Sequence, residues 1–306
     1  MLKTRRIHQV VNSKPTIEGA GVHLHRAFGG PRDAHIYDPF LLLDDFRNDH
    51  PIEYAPGFPW HPHRGIETIT YVLQGSVEHS DSMGNQGAIT AGDVQWMTAG
   101  SGILHQEMPK GDPDGHMYGF QLWANLPRAS KMMDPRYQDV KNAQIPLVNL
   151  DGGIIVRVIC GEVAGVHGPV QNIVIDPQYL DMAVPPKTRF AFPTPPGHTV
   201  IAYIINGKAT YCDETDPFAY EHEGSNYFDM QRERWLGNRT LILFEDGEQI
   251  IVNTDNDAVR FLLISGRPIH EPVAWYGPIV MNTEDELRLA FDELNQGIFI
   301  KTVALQ

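Results

Sequence analysis

The chain has 306 residues, and its 24 Lys and Arg against 38 Asp and Glu give a formal net charge of −14. This length predicts about two domains, and the negative charge argues against direct binding to nucleic acid through a basic surface. Cys160 and Cys212 are too few for a disulfide framework or a cysteine-rich zinc site. Neither a signal peptide nor an apolar stretch long enough to span a membrane is found, so we expect a cytoplasmic protein.

Short runs of β-branched, aromatic and aliphatic residues recur along the chain, separated by glycine and proline. Such runs at intervals of roughly 8–12 residues are typical of β-sandwiches and barrels. In chain order, the predicted strands cover 66–73, 87–90, 94–97, 118–122, 154–159, 170–175, 199–205, 240–244 and 259–264.

Two groups of strands are separated by a segment that proline residues interrupt, over 125–146, which predicts a domain boundary near residue 145. We therefore expect an N-terminal domain over 1–140 and a C-terminal domain over 146–306. Within the second domain, residues 213–238 are interpreted as an insertion of unassigned role.

One helix is predicted, close to the C-terminus. Thr283 and Glu286 have the spacing of a capping box, in which each side chain bonds the backbone N–H of the other residue. Apolar residues then recur at helical spacing until Gly297, which predicts the end of the helix.

Two pairs of metal-ligand residues have the same spacing. His61 and His63 are two residues apart, as are His105 and Glu107, and in a strand such residues point to one face. Three imidazole nitrogens and one carboxylate oxygen suit a first-row divalent metal, with Fe(II) preferred and Mn, Ni, Cu, Co and Zn as alternatives. From spacing alone, the alternative of ordinary core or surface histidines stays open. The pair His23 and His25 matches no second pair and is interpreted as structural.

Two long motifs resemble the pirin family of the cupin superfamily: 57–68, GFPWHPHRGIET, and 92–109, GDVQWMTAGSGILHQEMP. Shorter segments at 38–44, 122–126 and 277–283 are also similar to pirins, so the resemblance extends over most of the chain. It implies an all-β bicupin, with two jelly-roll β-barrels facing each other and a C-terminal helix.

The resemblance also implies a metal site in the N-terminal barrel only. Carried over by motif position, the ligands are His61, His63, His105 and Glu107, with Fe(II) as the metal. Glu67 occupies the position from which other cupins take their carboxylate ligand, but in pirins it is not a ligand. The C-terminal barrel is expected to be metal-free.

Pirin-like proteins are associated with quercetin 2,3-dioxygenase activity. The resemblance therefore implies a flavonol-like aromatic substrate and dioxygen as partners, with Glu107 as metal ligand and proton acceptor. Two alternatives stay open: an iron-dependent regulatory protein that binds transcription factors or metabolic enzymes, and a cupin acting on another small metabolite.

Several large side chains near the two motifs are candidates either for the pocket wall or for the barrel core. They are Phe40, Phe58, Trp60, Trp96 and Met97. Arg64, directly after the first histidine pair, is expected either to pair with a carboxylate or anion or to be solvated.

Overall fold

The computed structural model describes residues 2–223 and 232–301, and these form two compact units. The histidine unit contains Lys14–Gln144 and the described residues from Ile269 onward. The second unit contains the described residues up to Ser13 together with Ile145–Pro268. Each unit is therefore assembled from two separate stretches of the chain.

The described part of the chain consists mainly of short strands. The strands of its first half are β1 Ile7–Asn12, β2 Lys14–Glu18, β3 Val22–Gly29, β4 Phe40–Asp45, β5 Phe58–His63, β6 Ile66–Gln74, β7 Ser76–Asp81, β8 Gln86–Thr90, β9 Val94–Thr98, β10 Ile103–Lys110, β11 Tyr118–Asn125, β12 Arg136–Val140 and β13 Leu147–Leu150. Those of its second half are β14 Ile154–Cys160, β15 Glu162–Val163, β16 Val166–His167, β17 Gln178–Val184, β18 Arg189–Pro193, β19 Thr199–Tyr211, β20 Glu221–Glu223, β21 Leu236–Gly237, β22 Thr240–Phe244, β23 Gln249–Asn253, β24 Val259–Gly266, β25 Ala274–Tyr276 and β26 Ile279–Met281.

Helices are few and short among the described residues. The two α-helices are α1, Pro51–Tyr54, and α2, Glu284–Asn295. Single 3₁₀ turns cover Arg128–Ser130, Asn142–Gln144 and Asp151–Gly153. Neither α-helix has the length and apolar character that crossing a membrane requires.

The histidine unit is built on two main sheets. One has the strand order β12-β9-β6-β11-β4-β3-β2, and the other has the order β5-β10-β7-β8. The wholly buried pattern of β4 and the nearly continuous burial of β6 show that these strands contribute to the core with both faces. Apolar side chains between the sheets include Val22, Leu24, Val72, Val77 and Met117, all buried.

The second unit is built on a sheet with the order β13-β14-β17-β24-β19-β22-β1-β20. Its central strands β24, β19 and β22 are largely apolar on both faces and contribute fully buried residues such as Phe261, Ile204 and Ile242. Strand β1 pairs antiparallel with β22, so the start of the chain is part of this sheet.

Most predicted strands are confirmed, because each lies within or nearly coincides with an observed strand. The prediction over 170–175 is wrong: apart from an isolated bridge at Val170, this segment forms no strand. Asn172 has φ +59°, a left-handed conformation that interrupts an extended chain, although Val170 and the three residues after Asn172 are apolar. The predicted insertion over 213–238 includes residues 224–231, which lie outside the described part.

The predicted C-terminal helix is confirmed as α2, and its capping box is present. Glu286 N donates to Thr283 Oγ1 at 3.2 Å, and Thr283 N donates to Glu286 Oε2 at 3.0 Å. The helix belongs to the histidine unit, however, and so the compact units differ from the predicted division into 1–140 and 146–306. Buried Leu287 and Ala290 pack with Ile279 and Phe299 in a small core of that unit.

Candidate metal centre

Two antiparallel strands bring the predicted histidines together. In the pairing of β5 with β10, His61 lies opposite His105, and His63 lies opposite Ile103. Strand β5 is at the edge of its sheet, a position that tolerates Pro59 and Pro62 because an edge strand can lack ladder N–H groups. The sequence therefore places three imidazoles on one side of this pair of strands.

The three imidazoles converge closely enough to bind a single ion. His61, His63 and His105 each offer a nitrogen, and these nitrogens lie within 4.8 Å of one another. The Nδ1 atom of His61 is 2.8 Å from Pro59 O, and that of His63 is 3.3 Å from Pro278 O. Since a carbonyl oxygen only accepts, both Nδ1 atoms carry the proton, and both Nε2 atoms present a lone pair. These two Nε2 atoms are 3.0 Å apart, a contact that a cation between them makes favourable.

The electrostatics of the cluster favour neutral imidazoles. Burial lowers the pKa of His63 well below its ordinary value, and its histidine neighbours lower it further. Burial likewise lowers the pKa of His105 to about 4. Both ring nitrogens of His105 are buried without a hydrogen-bond partner among the described residues. Neutral imidazoles with unused lone pairs are the form in which histidine binds metal, so the residues fit a divalent ion.

Glu107, the fourth predicted ligand, lies beside the imidazoles but outside their tight cluster. Its Oε2 atom is 4.0 Å from His105 Nε2, and the side chain is buried. Thr70 Oγ1 donates to Glu107 Oε1 at 3.0 Å, and Gln121 Nε2 donates to Oε2 at 3.1 Å. The carboxylate is therefore oriented by two donors from neighbouring strands.

Two other residues considered from the sequence lie apart from the imidazole cluster. Glu67 on β6 is fully buried and accepts a hydrogen bond from Thr98 Oγ1 at 2.7 Å, while burial raises its pKa. His23 is exposed on β3, with Glu53 Oε2 4.0 Å from its Nδ1 atom. Neither belongs to a group of metal-ligating side chains in the described part of the chain.

A cavity of about 650 Å³ opens beside the cluster. His61, His63, Glu107 and Gln121 form part of its wall, and the aromatic wall residues are Phe58, Trp60, Trp123, Trp275 and Tyr276. Of the five side chains proposed from the sequence as pocket wall or core, Phe58 and Trp60 are in the wall. The other three, Phe40, Trp96 and Met97, are buried in the core.

The sequence did not identify Trp123, Trp275, Tyr276 and Gln121 as wall residues. A signal existed for Gln121, a polar residue between the buried Phe120 and Leu122 on β11. No local signal existed for Trp275 and Tyr276, because their place depends on β25 joining the histidine unit.

The segment around β26 contacts the end of β5 and the residues that follow it. Pro278 O accepts from His63, and Val280 N donates to Arg64 O at 3.1 Å. Lys131 Nζ donates to Gly65 O at 2.9 Å and to Val280 O at 3.0 Å, which joins the two segments. We call Gly277–Asn282 the strap, since it lies against the residues that follow His63.

Arg64 is neither solvated nor aimed at a ligand. It is buried, donates to Ser101 O and to Glu293 Oε2 at 2.7 Å each, and lies over the ring of Phe299. Of the alternatives given for it, pairing with a carboxylate is therefore the correct one. The carboxylate belongs to α2, so Arg64 fixes that helix to the residues that follow β5.

Lys131 gives the histidine unit a pH-dependent stability. Burial lowers the pKa of its ammonium from 10.5 to about 7, and the carboxylates of Glu271 and Glu286 partly oppose this. The folded-state pKa lies below the unfolded value, so the unfolded chain binds more protons between about pH 7 and 10.5. Stability from this group therefore rises with pH across that window.

We expect the wild type to gain stability relative to the Lys131→Met variant as the pH rises from 7 to 10. The difference between their free energies of unfolding should increase by on the order of a few kcal/mol. Urea unfolding of both proteins in the same metal state measures this difference. Lys110→Met, at an exposed lysine paired with Glu78, is the control and should give a much flatter difference. A wild-type-minus-Lys131→Met difference that does not change with pH would contradict the prediction.

Asp112, Asp114 and His116 form another group of ligand-type side chains. They lie at a surface turn, where Asp112 Oδ1 accepts from the backbone N–H groups of Asp114 and His116 at 3.0 and 2.9 Å. This turn geometry accounts for their proximity.

A mainly β chain whose three imidazoles converge from two paired strands, beside an aromatic cavity, has the characteristics of a metal-binding cupin. Comparison with known proteins supports the cupin class and identifies the family within it. The pirin family model matches residues 21–124, and the model described as the pirin C-terminal cupin domain matches residues 179–300. A pirin-like protein of Caulobacter vibrioides is 41% identical over 97% of this chain and 100% of its own length. The chain belongs to the pirin family, and it has two cupin-type domains and a C-terminal helix.

Two solved structures are also similar. The crystal structure of a quercetin 2,3-dioxygenase from Acinetobacter baumannii matches with a TM-score of 0.82 and 31% identity, over 97% of this chain and 98% of that one. A bacterial pirin from Escherichia coli, solved in complex with nickel(II), matches with a TM-score of 0.60 and 20% identity, over 84% of this chain and 96% of that one. At this lower identity the second likeness concerns the fold alone.

Proposed function

We propose that this chain is a metal-dependent dioxygenase that opens the flavonol ring of quercetin-type substrates. The observation that carries the proposal is the opening of the imidazole cluster onto a cavity of about 650 Å³ with aromatic walls. A planar aromatic molecule of flavonol size fits such a space, and pockets of this volume and character are typical ligand sites. The likeness to the Acinetobacter baumannii dioxygenase supports the same reading.

We assign His61, His63, His105 and Glu107 as the ligands, with Fe(II) as the metal and Mn, Ni, Cu, Co and Zn as alternatives. When bound, the metal supplies Lewis acidity that lowers the pKa of a substrate hydroxyl and a site at which dioxygen and substrate are activated together. Imidazole and carboxylate ligands together suit several first-row divalent metals, which is why these alternatives are kept.

Glu107 is the residue that we expect to receive the proton of the flavonol 3-hydroxyl. Glu107 is in the cavity wall, and Gln121 Nε2 contacts both of its carboxylate oxygens, at 3.3 and 3.1 Å. Together with the bond from Thr70, these contacts orient the carboxylate, which would have to shift towards a substrate hydroxyl to take its proton. Glu107 would therefore hold the proton at Oε2 while the ring reacts.

The remaining wall residues orient the substrate and exclude water. Trp60, Trp123 and Trp275 offer flat apolar faces on which a flavonol can stack, and this arrangement reduces the water around the reacting carbon atoms. The overall reaction takes one flavonol and one dioxygen to one depside and one carbon monoxide, so atoms and electrons balance without a further reductant.

Anaerobic loading with Fe(II), followed by measurement of dioxygen uptake and carbon monoxide release with quercetin, tests the proposal. We expect turnover by the loaded protein and its loss in the His61→Ala variant. Bound metal without dioxygen uptake would overturn the dioxygenase proposal and would favour a regulatory protein or another small metabolite as substrate.

A further inference from the structure

A cluster of three charged side chains lines the same cavity as the histidines. Arg26 Nε and Nη2 donate to Asp44 Oδ1 and Oδ2, both at 2.8 Å, and Arg26 Nη1 is 2.8 Å from Glu18 Oε1. All three residues are in the cavity wall, as are His61 and His63. Their strands β2, β3 and β4 are neighbours in one sheet, and Arg26 lies opposite Asp44 in the β3–β4 pairing. We call this set the Arg26 cluster.

The Arg26 cluster has one cation and two carboxylates, so it carries a surplus negative charge. Asp44 is buried, and although burial raises its pKa to about 6, the carboxyl is mainly ionised at neutral pH and above. Arg26 directs three N–H bonds at these carboxylates, so most of its charge is already compensated. Glu18, with 40% of its side chain exposed, is the carboxylate more open to a ligand.

The chemistry of such a surface differs from that of an anion site. Carboxylate oxygens accept hydrogen bonds and none donates, so a phenolic hydroxyl is a suitable partner for Glu18. A carboxylate, sulfate or phosphate at the same place would face the surplus negative charge in a space partly shielded from water. The aromatic walls add a preference for a flat molecule.

We infer that the Arg26 cluster is a specificity element: it selects uncharged polyhydroxylated aromatic molecules and rejects those with an anionic group at the end that meets this cluster. This inference rests on the proposed function, because it takes the reacting hydroxyl to lie at the imidazole cluster. Glu18 is the residue through which the selection is exerted, since it holds the surplus charge at the exposed side of the cluster.

The inference is tested by measuring binding and not turnover, because the inference and the dioxygenase proposal can then fail separately. The metal-loaded protein is titrated without dioxygen with quercetin, with quercetin 3′-sulfate and with galangin, which lacks the two hydroxyls on the ring that we expect to meet the Arg26 cluster. Isothermal titration calorimetry gives each Kd. We expect the wild type to bind quercetin about tenfold more tightly than the sulfate and more tightly than galangin.

Glu18→Gln removes the surplus charge and keeps an oxygen that can accept from Arg26. We expect this variant to raise the affinity for the sulfate relative to that for quercetin by about tenfold. Glu78→Gln is the matched control, since Glu78 is exposed, pairs with Lys110 and is absent from the cavity wall. Its affinity ratio should equal that of the wild type.

An unchanged ratio in Glu18→Gln, or a wild type that binds the sulfate as tightly as quercetin, would overturn the inference while leaving the dioxygenase proposal intact. A wild type that binds no flavonol would also overturn it. Selective binding of quercetin without turnover in air would instead support the specificity element and count against the dioxygenase.

Discussion

The His105→Ala variant is expected to purify without stoichiometric metal after anaerobic loading, whereas the wild type is expected to bind about one ion per chain. His105 is buried, and both of its ring nitrogens have no hydrogen-bond partner among the described residues. Loss of a supporting group behind a ligand already lowers metal affinity by roughly 10–100-fold, so loss of a ligand should lower it by at least about 100-fold. Mass spectrometry of the metal content after gel filtration measures the effect.

His23→Ala is the matched control, since His23 belongs to a pair with the same spacing but lies exposed on a strand of the other sheet. It should retain full metal. Glu107→Ala should also lose metal, which would support its assignment as a ligand. Full metal in His105→Ala, with a normal circular dichroism spectrum, would contradict the assignment of the centre.

The second large effect is expected from Gly65→Ala, two residues after His63. Gly65 has φ +77°, and a Cβ atom there would overlap the carbonyl oxygen of Val280 in the strap. The left-handed conformation alone costs an alanine roughly 1–2 kcal/mol, and displacing backbone adds a further cost of about 1–3 kcal/mol. We expect a lower free energy of unfolding and, because the strap moves away from His63, about 10–100-fold weaker metal binding.

The Gly84→Ala variant separates the cost of a left-handed alanine from the cost of overlap with the strap. Gly84 has φ +87° in the turn between β7 and β8, and a Cβ atom there would meet nothing within 4 Å. Its free energy of unfolding should fall only by the cost of the left-handed conformation, and it should bind metal as the wild type does. Urea unfolding and titration with a competing chelator measure both quantities, and equal behaviour of the two variants would show that the strap does not support the site.

The histidine centre could be predicted because its signals are local. His61, His63 and His105 lie on short strands, where alternation alone decides which side chains share a face. The register that places His61 opposite His105 depends on pairing between β5 and β10, which the motifs only suggested. The capping box of α2 could be predicted for the same reason, since it depends on two residues three positions apart.

The composition of the units could not be predicted in the same way. Neither β1 nor β26 is among the predicted strands. Even a clear strand pattern does not specify which sheet a strand will join, because that choice depends on contacts with residues more than a hundred positions away. Trp275 and Tyr276 could not be predicted as wall residues for the same reason, because the sheet that β25 joins is not encoded locally. The prediction over 170–175 failed for a different reason: Asn172 is left-handed, and Asp176 N donates to Ile173 O at 3.2 Å to close a turn in place of a strand.

The strap also has a consequence for the order of events during synthesis. His61, His63 and His105 leave the ribosome before the whole of Ile145–Pro268, whereas Pro278 and Val280 follow that stretch. A nascent chain that has exposed all three imidazoles therefore still lacks Pro278 O, which accepts from His63, and Val280 O, which accepts from Lys131. We therefore expect tight metal binding at this site only after the strap has been synthesised and has reached the residues that follow His63.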